Sequence, residues 1–348
     1  VTLKEIAARV GVSRPAVSAA LSDRVSTIVL SAPLREKIRR TAAEMGYRRN
    51  LLAESFTQQR SFLVGVLGRR EFALYAMDLM AGIEPVLDAR GVAPLAFLHG
   101  ATADDQERQL QRCLDRRVDG LIVAGAPGGR LPARIEELRR KKFPIVQLFR
   151  PTFSKVPVFG VDDEQVGLLQ TRYAIELGHR RIVHVTHDEV EASGKPIEHR
   201  DARGRLAGYA RAMREAGLKP VSLTFPASKY FPLVGGGSPG AADCAARLLG
   251  HSGRFTAAVC FSDYVAIGLL RGVGALGRRV PADLSVVGMD DVEMASASEP
   301  ALTTLAPPIA AIGRAAAGAV LDLLDGKRVS NCEFEPEIVP RASTAPVR

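Results

Sequence analysis

From Phe62 onward, short apolar runs alternate with stretches in which apolar residues recur every three or four positions. The runs are Phe62 to Leu67, Ala93 to Leu98, Leu121 to Ala124, Ile145 to Phe149, Ile182 to Val185 and Ala257 to Phe261. Their length and near-continuous apolar character predict strands buried on both faces, as in a parallel sheet. Between them Met77 to Leu87, Glu107 to Leu114, Val166 to Leu177 and Leu206 to Met213 have helical spacing and predict the crossovers that parallel strands require. The expected class is α/β, with doubly wound parallel sheets.

The first 61 residues follow a different pattern. Thr2-Leu3-Lys4-Glu5 is a capping box, Leu3, Ile6, Ala7 and Val10 form an apolar stripe, and Gly11 supplies a helix stop. Ser13 then serves as a second N-cap with Pro15 in the first turn. Val17, Ala20 and Leu21 share a face, leaving Arg14, Ser18 and Ala19 pointing elsewhere. A third helix runs from Ser31 and Pro33 through Leu34, Ile38 and Met45 to Gly46. Two helices joined by so short a turn, with a third behind them, predict either a helix-turn-helix or a small bundle that binds a protein.

Charge changes that balance. The 348 residues carry a net charge of +9, of which +6 lies in residues 1–61 and +3 in the much longer remainder. A basic patch of this kind attracts a phosphate backbone, although a solvated face has the same composition. The length exceeds what one core organises, and 47% apolar with 24% charged residues is ordinary globular composition. No run is long and apolar enough for a membrane span or a secretory signal, so the chain is expected in the cytoplasm and off the membrane. Cys113, Cys244, Cys260 and Cys332 have no paired spacing and are expected as buried thiols.

Candidate chemistry is sparse. Histidines 179, 184, 187 and 199 lack the spacing of a zinc site, and no metal is expected. No Gly-x-Gly-x-x-Gly follows the first strand, and Gly235-Gly236-Gly237 sits in a loop-like stretch, so no cofactor is expected. An enzyme would need a nucleophile elbow or a carboxylate dyad; Asp162-Asp163-Glu164 and Asp290-Asp291 are the acidic candidates, and no catalytic residue is assigned. A solute-binding protein that never touches DNA is the other rival, and the basic N-terminal segment opposes it.

The segment Val1 to Phe56 resembles the headpiece of the LacI/GalR (lactose/galactose repressor) family of bacterial transcription regulators. The resemblance is carried by Thr2-Leu3-Lys4-Glu5-Ile6-Ala7, Val10-Gly11-Val12-Ser13, Val17-Ser18, Leu34-Arg35-Glu36-Lys37-Ile38 and Gly46-Tyr47-Arg48-Arg49-Asn50-Leu51-Leu52-Ala53. It implies a second helix in the major groove of operator DNA, with Arg14 and Pro15 at base edges and Thr2, Ser13 and Ser18 beside them. Arginine there pairs with guanine, whereas Pro15, and Ala19 where the family usually has a base-reading arginine, are departures. Residues 49–61 would form a hinge that folds on DNA, with Asn50 and Ala53 in contact. Phe56 stands where a leucine wedge enters the minor groove, and Arg49 replaces the usual proline.

The rest of the chain resembles the same family's ligand core, which is similar to a two-lobed periplasmic sugar-binding protein. Its carriers are Val118-Asp119-Gly120-Leu121-Ile122-Val123, Leu177-Gly178-His179-Arg180-Arg181-Ile182, Gly204-Arg205-Leu206-Ala207-Gly208-Tyr209, Gly288-Met289-Asp290-Asp291 and Pro300-Ala301-Leu302-Thr303-Thr304-Leu305. The resemblance implies a headpiece over 1–48 and an effector-binding and dimerisation domain over 62–348. The first lobe would hold about 62–160 and 292–325, and the second about 161–291 and 326–348. A small-molecule effector, a sugar or sugar derivative, would lie between them against Tyr75, Phe149, Arg205, Ser262 and Asp290. Phe149 stands where many sugar-binding members have aspartate. Arg150 follows it, and Arg69-Arg70-Glu71 replaces an Asn/Pro-rich turn. These cations suit an anionic ligand, such as a sugar acid or phosphate, as well as plain ion pairing. The family pattern implies a homodimer on pseudo-palindromic DNA, and no heptad repeat follows Arg341 to build a tetramer.

Overall fold

The computed structural model describes residues 1–21, 28–47, 58–69, 73–100, 102–125, 130–188, 200–226, 237–250 and 255–347. The chain divides into two compact units, Val1–Ser61 and Phe62–Arg348.

In the first unit, α1 (Leu3–Val10), α2 (Arg14–Leu21) and α3 (Ala32–Glu44) enclose a core of Ile6, Ala7, Val10, Val17, Ala20, Ile38 and Ala42. The capping box is present: Glu5 N donates to Thr2 Oγ1 at 3.3 Å and Thr2 N to Glu5 Oε2 at 2.7 Å. Gly11 ends α1 at a φ of 81°, a conformation glycine adopts without penalty. Ser13 Oγ accepts from Ala16 N at 3.3 Å, whereas Ser31 precedes α3 without a side-chain cap bond. Ala19, expected on the outer face, is buried at 6% exposure. A methyl group is too short to project beyond the helix surface around it.

The second unit holds two parallel sheets. The first has the order β11-β5-β4-β3-β1-β2, from β1 (Leu63–Arg69), β2 (Ala93–His99), β3 (Gly120–Ala124), β4 (Ile145–Leu148), β5 (Val158–Gly160) and β11 (Cys332–Glu333). The second has the order β12-β10-β9-β8-β6-β7, from β6 (Ile182–Asp188), β7 (Ser222–Pro226), β8 (Ala257–Cys260), β9 (Ser285–Met289), β10 (Thr303–Ala306) and β12 (Glu337–Val339), with β12 antiparallel to β10. Each sheet therefore repeats one doubly wound pattern with a switch point beside its first strand. The helices that bear on the site are α4 (Ala73–Asp88), α7 (Asp163–Glu176), α8 (Arg200–Glu215), α10 (Asp263–Ala275) and α12 (Ile309–Leu324).

Among the described residues the chain passes between the sheets three times: after β5, between β10 and α12, and between β11 and β12. The return to the first lobe thus comes later than the expected 292. Asp263 accepts from Val292 N at 3.0 Å and from Thr304 Oγ1 at 2.6 Å, and β10 pairs with β9, so this stretch is anchored to the second sheet. β11, assigned from sequence to the second lobe, pairs with β5 in the first. Phe149 was expected to end a strand but lies just past β4 at a φ of 66°.

Candidate functional site

The floor of the second lobe is set by two helices in backbone contact. A β-carbon at Gly167 in α7 would lie 1.9 Å from the Arg205 carbonyl oxygen, and one at Gly208 in α8 would lie 1.8 Å from that of Glu164. Glycine alone permits this approach, which brings the start of α7 against the start of α8. Asp163 and Arg205 meet there: Arg205 Nε donates to Asp163 Oδ1 at 3.0 Å, and Nη1 donates to the Phe261 carbonyl at 2.5 Å. The guanidinium carbon also stacks 4.7 Å from the Phe261 ring centre. Burial opposes the Arg205 charge, but Asp163, Asp290 and Asp201 outweigh it and raise the pKa above its usual value. Burial raises the Asp163 pKa against the pull of Arg205.

Asp290 follows β9 at a φ of 117° and accepts a hydrogen bond from Tyr75, which belongs to α4 of the first lobe. Burial pushes the Asp290 pKa up to about 6, although Arg205 and Tyr75 both act to lower it. The Tyr75 ring packs against the apolar cores of both lobes. A second link joins Arg150, just past β4, to Asp201 at the start of α8 as an ion pair. These contacts bring the carboxyl ends of the two sheets face to face, where ligands bind in open α/β folds. The assembled groups, guanidinium donors, carboxylate acceptors and aromatic rings, are suited to hold a polar ligand.

Tyr75, Arg205 and Asp290, all singled out from sequence, converge here. Phe149 lies beside Arg150, half-buried against the first core, with its amide donating to the Phe159 carbonyl at 2.8 Å. Ser262 is 2% exposed and caps α10, accepting from Val265 N at 3.4 Å, so its oxygen is turned to the helix. Sequence reasoning missed Asp201 and Tyr264. The Tyr264 hydroxyl is buried without a hydrogen-bond partner, and burial together with Asp290 and Asp263 raises its pKa. Asp201 lay next to the motif that carries Arg205, but no local pattern revealed its partner.

Two histidines lie nearby. His187 stands edge-on to Phe261 with ring centres 4.9 Å apart, and burial lowers its pKa. His184 stacks on Tyr209 at 5.3 Å, and burial, then Arg205, push its pKa down to about 3. His179 is a staple between Thr256 Oγ1 at 3.0 Å and the Ala345 carbonyl at 3.1 Å. Among the described residues no group of His, Cys, Asp or Glu could hold a metal ion, and no helix is long and apolar enough to cross a membrane. In the first unit, Arg14, Pro15 and Ser18 are exposed on α2, while the hydroxyls of Thr2 and Ser13 are engaged in caps. Arg49, Asn50, Ala53, Phe56, Arg70, Glu71 and His199 lie outside the described residues.

A headpiece with a short-turn helix pair, joined in one chain to paired parallel sheets that meet at their carboxyl ends, defines the class of ligand-responsive DNA-binding regulators. A family model for a periplasmic binding protein-like domain matches residues 171–344. The chain is 26% identical over 346 residues to the HTH-type transcriptional repressor PurR of Vibrio vulnificus, covering 98% of this chain and 97% of that one. It is 27% identical over 347 residues to PurR of Escherichia coli O1:K1, covering 99% and 97%. The crystal structure of the Lac repressor bound to ONPG in the repressed state superimposes with a TM-score of 0.76 at 25% identity, covering 99% of each chain. A cellobiose complex of the transcriptional regulator CelR gives 0.66 at 25% identity, again over 99% of each. The chain belongs to the LacI/GalR family of transcription regulators. Its relatives are repressors rather than enzymes, and repressors of this type bind operator DNA and small-molecule effectors and act as dimers.

Proposed function

We propose that the chain is a repressor whose operator affinity is set by a sugar or sugar derivative bound between the two lobes. The observation that carries this reading is the Tyr75–Asp290 hydrogen bond beside Arg205, which links the first lobe to the second at the ligand position of the fold. Asp290 would accept from ligand hydroxyls and Arg205 would donate to them. Tyr75 and Phe149 would offer apolar faces to a sugar ring, with Ser262 as a smaller contact. The cellobiose complex of CelR supports the ligand class.

On the DNA side, residues 1–48 form the headpiece and residues 49–61 the hinge of a homodimer that works in the cytoplasm beside the nucleoid. Arg14 would pair with a guanine, and Pro15 and Ser18 would pack beside it. Thr2 and Ser13 would meet phosphates, and Asn50, Ala53 and Phe56 would engage the minor groove. Effector binding between lobes 62–348 would shift the hinges and change operator affinity by a coupling on the order of 1–3 kcal/mol.

The test is selection of random duplexes by the purified protein, repeated at two salt concentrations and with Arg14→Ala. A two-fold symmetric motif that the substitution relaxes is the expected outcome. Binding that responds to salt alone, with no enriched sequence, would overturn the reading of the headpiece.

A further inference from the structure

The Arg150–Asp201 pair does a job that neither lobe needs for its own core. Arg150 extends from the loop beyond β4, while Asp201 opens α8, which packs against α7 and β6 of the other lobe. The side chains are 18% and 3% exposed, so solvent and salt screen the pair only weakly. The titratable groups around it are Arg205 on α8, Asp163 on α7, Asp290 after β9, and His187 on β6. Among these described groups three carboxylates face two guanidiniums. Arg205 is already divided between Asp163 and the Phe261 carbonyl. Without Arg150, one guanidinium would serve all three buried acids.

The geometry points to Arg150 and Asp201 as a charge latch that holds the lobes together across the cleft when no effector is bound. This rests on the reading of that cleft as the effector site. Tyr75–Asp290 provides a second tie between the lobes. Closure of the cleft is then set by the protein's own charges, and an effector is accommodated beside the pair or opens the cleft by drawing Arg150 from Asp201.

The latch is measured as an interlobe distance on the full-length chain, with neither DNA nor effector present. Spin labels are attached at Ser154→Cys in the first lobe and Arg214→Cys in the second, both exposed positions. Cys332→Ser removes the one cysteine that is not buried, and labelled chains are diluted with unlabelled ones. Arg150→Gln and Asp201→Asn are each expected to move the distance distribution to longer, broader values, and the double substitution to go no further than either alone. Distributions that overlay the parent in both single variants would overturn the latch. Should Asp201→Asn fail to fold, Arg150→Gln, at the more exposed member, decides alone. Operator selection on the parent tests the functional reading separately, so each can fail without the other.

Discussion

Replacing Asp290 with asparagine should stabilise the protein while removing its response to effector. The amide keeps the shape and can still accept from Tyr75, and asparagine tolerates the positive φ of 117° at this position. What it removes is a charge that burial disfavours. The Asp290 pKa rises from 3.8 to about 6 on folding. A carboxyl with a raised folded pKa favours the native state at low pH, and that advantage is lost as pH rises through the folded value. At pH 7 the ionised form therefore costs about 3 kcal/mol relative to the unfolded chain, from ~1.4 kcal/mol per pKa unit. The same relation leaves about half of that cost at pH 5 and only a small part of it at pH 4. Asp290→Asn should thus raise the urea midpoint at pH 7 and lose most of the gain by pH 4. A variant that is less stable than the parent at pH 7, or whose gain is independent of pH, would refute the reasoning.

Arg14→Ala should relax one base position in the selected operator at a cost of ~1–3 kcal/mol, read as competition between matched and mismatched duplexes. Equal discrimination by parent and variant would exclude Arg14 as a base reader. Gly208→Ala places a β-carbon 1.8 Å from the Glu164 carbonyl and should destabilise by about 1–3 kcal/mol or more in urea unfolding. Gly318→Ala in α12, where nothing lies within 4 Å, should instead be neutral or slightly stabilising. With three carboxylates facing two committed guanidiniums, neutral sugars should raise the melting temperature more than gluconate or glucose 6-phosphate does. Stronger stabilisation by either anion would refute this charge reading of the site.

Features written in adjacent residues were legible in the sequence. The capping box at Thr2 and Glu5, the stop at Gly11 and the Ser13 cap depend on contacts within one turn, and each has the expected geometry. The motif around Arg205 was legible for a less local reason: Gly208 permits the helix contact, and Tyr209 Oη donates to the Ile182 carbonyl and accepts from Val221 N, at 2.9 Å each. The starts of α7 and α8 were placed too late because their first turns are polar; Asp163 and Glu164 precede the first apolar position of α7, and Arg200 and Asp201 open α8. Helix α10 gave no periodic signal because Asp263 through Leu270 are all buried, so no polar face marks its period. The Arg150–Asp201 pair and the place of β10 depend on how distant segments meet, which no local pattern encodes.

The raised pKa of Asp290 also links effector binding to pH. An ionised carboxylate is acceptor-only, so a ligand that donates hydroxyl protons to Asp290 selects its charged form. With the pKa pushed up to about 6, roughly nine-tenths of the free protein carries that charge at pH 7 and about a tenth at pH 5. Affinity for a hydroxyl-donating effector should therefore fall nearly tenfold between pH 7 and pH 5, with proton uptake on dissociation. Burial is then functional rather than incidental: it holds a carboxylate where the ligand supplies donors, and the hydrogen bonds it gains offset the desolvation that destabilises the ionised group. Isothermal titration in two buffers of different ionisation enthalpy, at pH 5 and pH 7, separates the proton from the ligand. A pH-independent affinity with no proton exchange would show that Asp290 does not meet the effector.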